Sequence, residues 1–205
     1  MSVFQILALA WLVGSLLCFG WAARSFFVKH QGSTAGVKLI LIAYAICAML
    51  QIAATVRARD ITPIRIAAAS VVYFAALLLF WWAIRANRNR RLSAAFSPDL
   101  PEHLIQAGPY RYVRHPFYSS YLLAWSAGVI ASGQLWVWIT VAVMVAIYVG
   151  ATVHEERKFL SSSLAEAYTA YRGRTGRLMV NPWKWLKTKG GASSSSSPFD
   201  TGNKT

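Results

Sequence analysis

The sequence predicts an all-α integral membrane protein with about five transmembrane helices, the last two forming a helical hairpin. Three observations predict it. Apolar residues make up 56% of the 205 residues and mean hydropathy is +0.41, more than an ordinary soluble domain carries. The apolar residues gather into runs near the ~20-residue length of a spanning helix. The basic residues behind a net charge of +14 flank those runs. There the positive-inside rule and anionic headgroups account for them, so membrane lipids are implied as partners and nucleic acid is not. Cys18 and Cys47 fall inside apolar runs without metal-ligand spacing, which supports neither a disulfide framework nor a metal site.

The first run, 3–21, is almost unbroken. A signal peptide is the competing reading, but no basic residue precedes the run and it is longer than a usual signal core, which favours an anchor with its N-terminus outside. A polar loop with Arg24, Lys29 and Lys38 leads to a second run at 39–56. Arg57, Arg59, Asp60 and Thr62 make a tight connection, with Pro63 suited to the first turn of a third run at 64–84 that ends in Phe80, Trp81 and Trp82. The polar stretch 85–115 follows, then a short fourth run at 117–131, a turn at Ser132-Gly133-Gln134, and a fifth run at 135–153. So short a connection implies an antiparallel pair of helices. Residues 155–189 are basic and partly helical in pattern, and 190–205, with five consecutive serines, is low-complexity. The division is therefore 1–92 for three N-terminal helices, 93–189 for the helical hairpin with the segments flanking it, which the resemblance described below makes the catalytic region, and 190–205 for a disordered tail.

Lys and Arg counts orient the chain. With five spans and the N-terminus outside, the inner segments carry three, six and nine basic residues, against three outside: Arg57, Arg59 and Arg65. The first inner and first outer loops tie, so the orientation rests on the two later segments.

Charge, aromatics and turn formers crowd at Gly108-Pro109-Tyr110-Arg111-Tyr112-Val113-Arg114-His115-Pro116-Phe117-Tyr118. Pro116 disfavours helix at His115 yet suits the first turn of the helix after it, which places His115 in a bent link at a helix mouth. A second cluster, His154-Glu155-Glu156-Arg157, closes the fifth run. A hairpin brings the two clusters to one side of the membrane, where charge is costly and usually functional. A solvated salt-bridge cluster of Glu155 and Glu156 with Arg111, Arg114, Arg157 or Lys158 explains the same residues without chemistry.

The ordered set Gly108-x-Tyr110-x-x-x-Arg114-His115-Pro116-x-Tyr118, then Glu155-Glu156-x-x-x-Leu160 and Tyr168-x-x-Tyr171, resembles the isoprenylcysteine carboxyl methyltransferase family and its phospholipid methyltransferase relatives, over roughly residues 93–182. The resemblance implies that S-adenosylmethionine is enclosed by the cytoplasmic ends of the last two spans and the C-terminal segment. A lipidic or prenylated substrate would reach it between helices. It further implies that Gly108, Tyr110, His115, Pro116 and Tyr118 shape the cofactor pocket and that Glu155 and Glu156 serve its polar groups. A sulfonium and an ammonium are cations, suited to carboxylates and aromatic faces, and Arg114 could meet the cofactor's carboxylate. Ser119-Ser120 stand where family members often carry glycine. No glycine-rich Rossmann fingerprint is present.

The expected activity is methyl transfer to the carboxylate of a lipidic acceptor held by Arg172 or Arg174, as catalytic residues that position an already ionised nucleophile. The alternatives are a phospholipid N-methyltransferase, which needs a base such as His115 or a glutamate, a sterol-reductase-like enzyme using NADPH, and a non-catalytic lipid-binding scaffold. The expected location is a bacterial inner membrane or the endoplasmic reticulum, with the site cytoplasmic.

Overall fold

The structure, a computed structural model, describes residues 1–28, 35–88, 92–93, 101 and 103–183. Its helices are α1 (Val3–Phe26), α2 (Ala35–Arg57), α3 (Pro63–Ala86), α4 (Pro116–Ser132), α5 (Trp138–Leu160) and α6 (Ala165–Arg174). Phe27–Val28 and Leu92–Ser93 form a short parallel pair that ties the end of α1 to the chain leaving α3. The boundary at 92 falls in that pair, and 190–205 lie outside the described residues.

Local signals set the helix ends. The hydroxyl of Thr62 accepts from the Arg65 amide at 3.4 Å and Pro63 occupies the first turn, which together start α3. At its other end Asn87 Nδ2 donates to the Ala83 carbonyl at 2.6 Å. Gly133, at φ +67°, ends α4 in the left-handed conformation that only glycine adopts cheaply. A 3-10 turn over Leu135–Val137 then starts the return through α5.

Among the described residues, four helices, at Val3–Ala22, Gly36–Arg57, Pro63–Ala86 and Leu135–Leu160, are long and apolar enough to cross a membrane. The 117–131 run, expected as a further span, forms α4, which has 17 residues. At 1.5 Å per residue it rises about 26 Å, short of a ~30 Å hydrocarbon core. Its composition differs from that of the four long helices for a physical reason. Helix α4 packs against α1, α2, α3 and α5 and buries Ser119, Ser120, Ala124, Ala127, Gly128 and Ala131, small residues that let neighbouring backbones approach. At Gly128 a Cβ would stand 2.0 Å from Gln51 Oε1. One core cluster joins α4 to α1 and α3 through Phe19, Tyr73, Phe80 and Phe117. A second joins it to α2 and α5 through Cys47, Trp125, Met144 and Tyr148.

Candidate functional site

His115 caps α4 at φ −126° and ψ 66°, with Pro116 behind it at the first helical position, and its carbonyl accepts from the Ser119 amide at 3.1 Å. That bend aims the imidazole at the last turns of α5. Consecutive residues on a helix point about 100° apart, and Glu155 and Glu156 separate accordingly. Glu156 turns inward, its side chain 4% exposed. Arg114 Nε donates to its Oε1 at 3.0 Å, while Arg177 grips both oxygens, Nε to Oε1 at 3.1 Å and Nη2 to Oε2 at 3.0 Å. Glu155 keeps 29% of its side chain exposed. It accepts from the Tyr118 hydroxyl at 2.6 Å.

The imidazole lies between the two carboxylates, Nδ1 at 3.4 Å from Glu155 Oε2 and Nε2 at 3.3 Å from Glu156 Oε1. A neutral ring has one N–H, so donating to both requires the imidazolium. Burial pushes the ring's pKa down, but the hydrogen bonds and charges of Glu155 and Glu156 outweigh it and hold the value above the ordinary one.

The chain beyond α6 closes this cluster from outside. Arg114 N donates to the Gly176 carbonyl at 2.8 Å, His115 N to that of Arg177 at 3.1 Å, and Gly176 N to that of Tyr112 at 3.2 Å. Ser119 Oγ donates to the Leu178 carbonyl at 2.6 Å. Arg114 adds a bond from Nη1 to the Thr175 carbonyl at 2.6 Å and one to that of Arg172 at 3.3 Å. The result is a strap at 175–178 laced along 112–119. Gly176 permits its turn, since a Cβ there would stand 1.8 Å from the Met179 carbonyl.

Of the sequence-predicted residues, Arg114, His115, Pro116, Tyr118, Glu155 and Glu156 come together here. Arg114 is buried and engaged by Glu156 and the strap carbonyls. Gly108 and Tyr110 pack against the end of α3. Gly108 sits at φ +59°, with Ala86 Cβ 3.0 Å from where its own Cβ would stand. Asn87 Nδ2 donates to the Tyr110 hydroxyl at 3.0 Å, and the Tyr171 hydroxyl to the Tyr110 carbonyl at 2.7 Å. Arg172 and Arg174 are exposed on α6, Arg174 bonding Gln106. Sequence reasoning missed Arg177 as a partner of Glu156 and missed the Ser119 hydroxyl as a strap anchor. Its one signal was a run of arginines after Tyr171 denser than packing requires.

Beneath the cluster an aromatic column descends into the membrane span. The Tyr118 ring lies 5.9 Å from His115, 5.1 Å from Tyr148 and 6.4 Å from Tyr121. Tyr121 in turn lines an apolar crevice with Leu12, Leu16, Phe19, Tyr44 and Trp125. A cation is suited to the upper end, where an open carboxylate meets aromatic faces.

No curated protein matches the chain. The sequence model of the phospholipid methyltransferase family matches residues 64–167, just over half of the chain. The match runs from α3 into α6 and takes in His115, Tyr118, Glu155 and Glu156, while stopping short of Arg172, Arg174 and Arg177. The chain belongs to the phospholipid methyltransferase family and is a membrane methyltransferase.

Proposed function

We propose that this protein is an S-adenosylmethionine-dependent methyltransferase whose acceptor is the amine head of an amphiphile, with its site on the cytoplasmic face. One observation carries the reading. Glu156 engages Arg114 and Arg177, while Glu155 stays partly open beside Tyr118 and His115. The open side of the cluster therefore offers a carboxylate and aromatic faces, which suit cations. The cofactor, when bound, supplies an electrophilic methyl group on a sulfonium and carries an ammonium as well. Glu155 receives a cation, Tyr118 holds that carboxylate in place, and Arg114, Pro116 and Glu156 fix His115. A cation taken up by Glu155 removes one anionic partner from the imidazolium, whose Nδ1 proton then passes to solvent on the open side; the neutral ring keeps its Nε2 proton toward Glu156 and takes the proton of the acceptor ammonium at Nδ1, freeing the amine to attack. Gly108 and Tyr110 brace the wall formed with α3 and α6.

A fifth crossing, by α4, is part of this reading. The start of α4 meets the end of α5 while a short turn joins their other ends, which supports a crossing by α4 in which the bilayer thins locally or neighbouring helices shield it. Among the described residues the site end carries most of the Lys and Arg, against Arg57, Arg59 and Arg65 at the other, which favours a cytoplasmic site in a bacterial inner membrane or the endoplasmic reticulum.

A second reading is O-methylation of a lipidic carboxylate resembling isoprenylcysteine. Arg172 and Arg174, exposed on α6 beside the strap, favour it as the groups that would hold the anion. The family match favours methyl transfer over a nicotinamide-dependent reductase or a lipid-binding scaffold. The test is methyl transfer from labelled cofactor to phosphatidylethanolamine and, separately, to a prenylated cysteine. Label stable to alkali on the amine lipid is expected, whereas alkali-labile label on the prenylcysteine alone would replace the amine reading with the carboxylate one.

A further inference from the structure

The strap does more than cover the cluster, because its far end faces outward. The Leu178 carbonyl bonds Ser119, three residues into α4 and so within about 5 Å of that helix's start, and Arg177 bonds Glu156 in the last turns of α5. The strap therefore lies level with the ends of the spanning helices, at the depth of a headgroup layer. There Met179, Val180 and Trp183 are 81%, 56% and 76% exposed. Arg111, Arg157, Arg172 and Arg174 are exposed at the same end. Tryptophan beside aliphatic side chains and arginines is the composition that settles into a membrane interface, and each arginine near an anionic surface adds to the attraction.

We propose that residues 175–183 form a docking surface for an anionic bilayer face, and that docking holds the strap closed over His115 and Glu156. Charge complementarity selects this occupant. The exposed cations disfavour a basic partner, and the apolar side chains need a hydrocarbon boundary that free polyanions lack. Docking and lacing share one segment, so whatever immobilises Met179 and Trp183 also limits opening at Gly176 and Arg177. The proposal does not depend on which acceptor is methylated.

The experiment is hydrogen exchange of the full chain in nanodiscs of phosphatidylcholine, with and without phosphatidylglycerol, read at the strap-bonded amides of Arg114, His115 and Gly176. Exchange about tenfold slower in the anionic discs is expected. The lipid difference should disappear at high salt and in the Met179→Ser/Trp183→Ser double variant, whose α1 to α3 peptides should exchange as in the unsubstituted protein. Equal exchange in the two lipids, or a lipid difference that survives the double variant, overturns the proposal.

Discussion

Glu155 and Glu156 are neighbours on α5, yet Glu156 is enclosed by Arg114, Arg177 and His115 while Glu155 shares His115 and otherwise meets only the Tyr118 hydroxyl, at 2.6 Å, among the hydrogen bonds described. One carboxylate is enclosed, and the other keeps an open edge.

Glu156→Gln leaves two buried or half-buried arginines without a full counter-charge. Removing one partner of a buried ionic group costs about 3–5 kcal/mol, so unfolding without ligand should move to markedly lower temperature. Glu155→Gln, at a more exposed position, should shift it little. Equal shifts would mean that the two carboxylates do not divide their roles.

Gly176→Ala places a Cβ against the Met179 carbonyl. The strap must move to accept it, at a cost on the order of 1–3 kcal/mol. Limited proteolysis after α6 should accelerate while the spanning helices stay intact. Unchanged cleavage would show that the strap is already open.

His115 gives stability a pH dependence. Its folded pKa lies above the unfolded value because Glu155 and Glu156 outweigh burial. The stabilisation is therefore fully present below about pH 6.5 and is lost as pH rises through the folded value. The groups facing the ring are Glu155, Glu156 and Tyr118, with Arg114 and Arg177 acting through Glu156. Ligand-free melting temperature should fall with rising pH more steeply in the unsubstituted protein than in His115→Gln. Parallel profiles would remove the imidazolium from the account.

The spans of α1, α2, α3 and α5 were legible because lipid-facing helices must be apolar along nearly their whole length. Thr62-Pro63 and Pro116 marked helix starts through backbone chemistry that leaves a trace in residue type. Helix α4 was harder to read. Enclosed by four helices, it needs small residues rather than a long greasy run, and Ser119, Ser120 and Gly128 look polar or neutral in a hydropathy scan. The strap was illegible because it is held by backbone carbonyls, which every residue has, and because 60 residues of chain separate Arg114 from the arginines around Arg174. The roles of Glu155 and Glu156 depend on helix rotation, and sequence sets that rotation only relative to a partner face not yet known.

The crossing of α4 can be tested with single cysteines at Arg59, Arg111 and Gln134, in a background lacking Cys18 and Cys47. An impermeant thiol reagent should label positions 59 and 134 from one side and 111 from the other. Labelling of 111 and 134 from the same side would leave α4 inside the fold without crossing.

The most direct test of the central claim is calorimetry of the purified protein in nanodiscs with S-adenosylhomocysteine, comparing the unsubstituted chain with Glu155→Gln. The account predicts binding by the unsubstituted chain. It predicts roughly 10- to 150-fold weaker binding by the variant, the loss of one charge-assisted contact worth about 1.5–3 kcal/mol at ~1.4 kcal/mol per decade. No binding by the unsubstituted chain, or equal affinity in the variant, would contradict it.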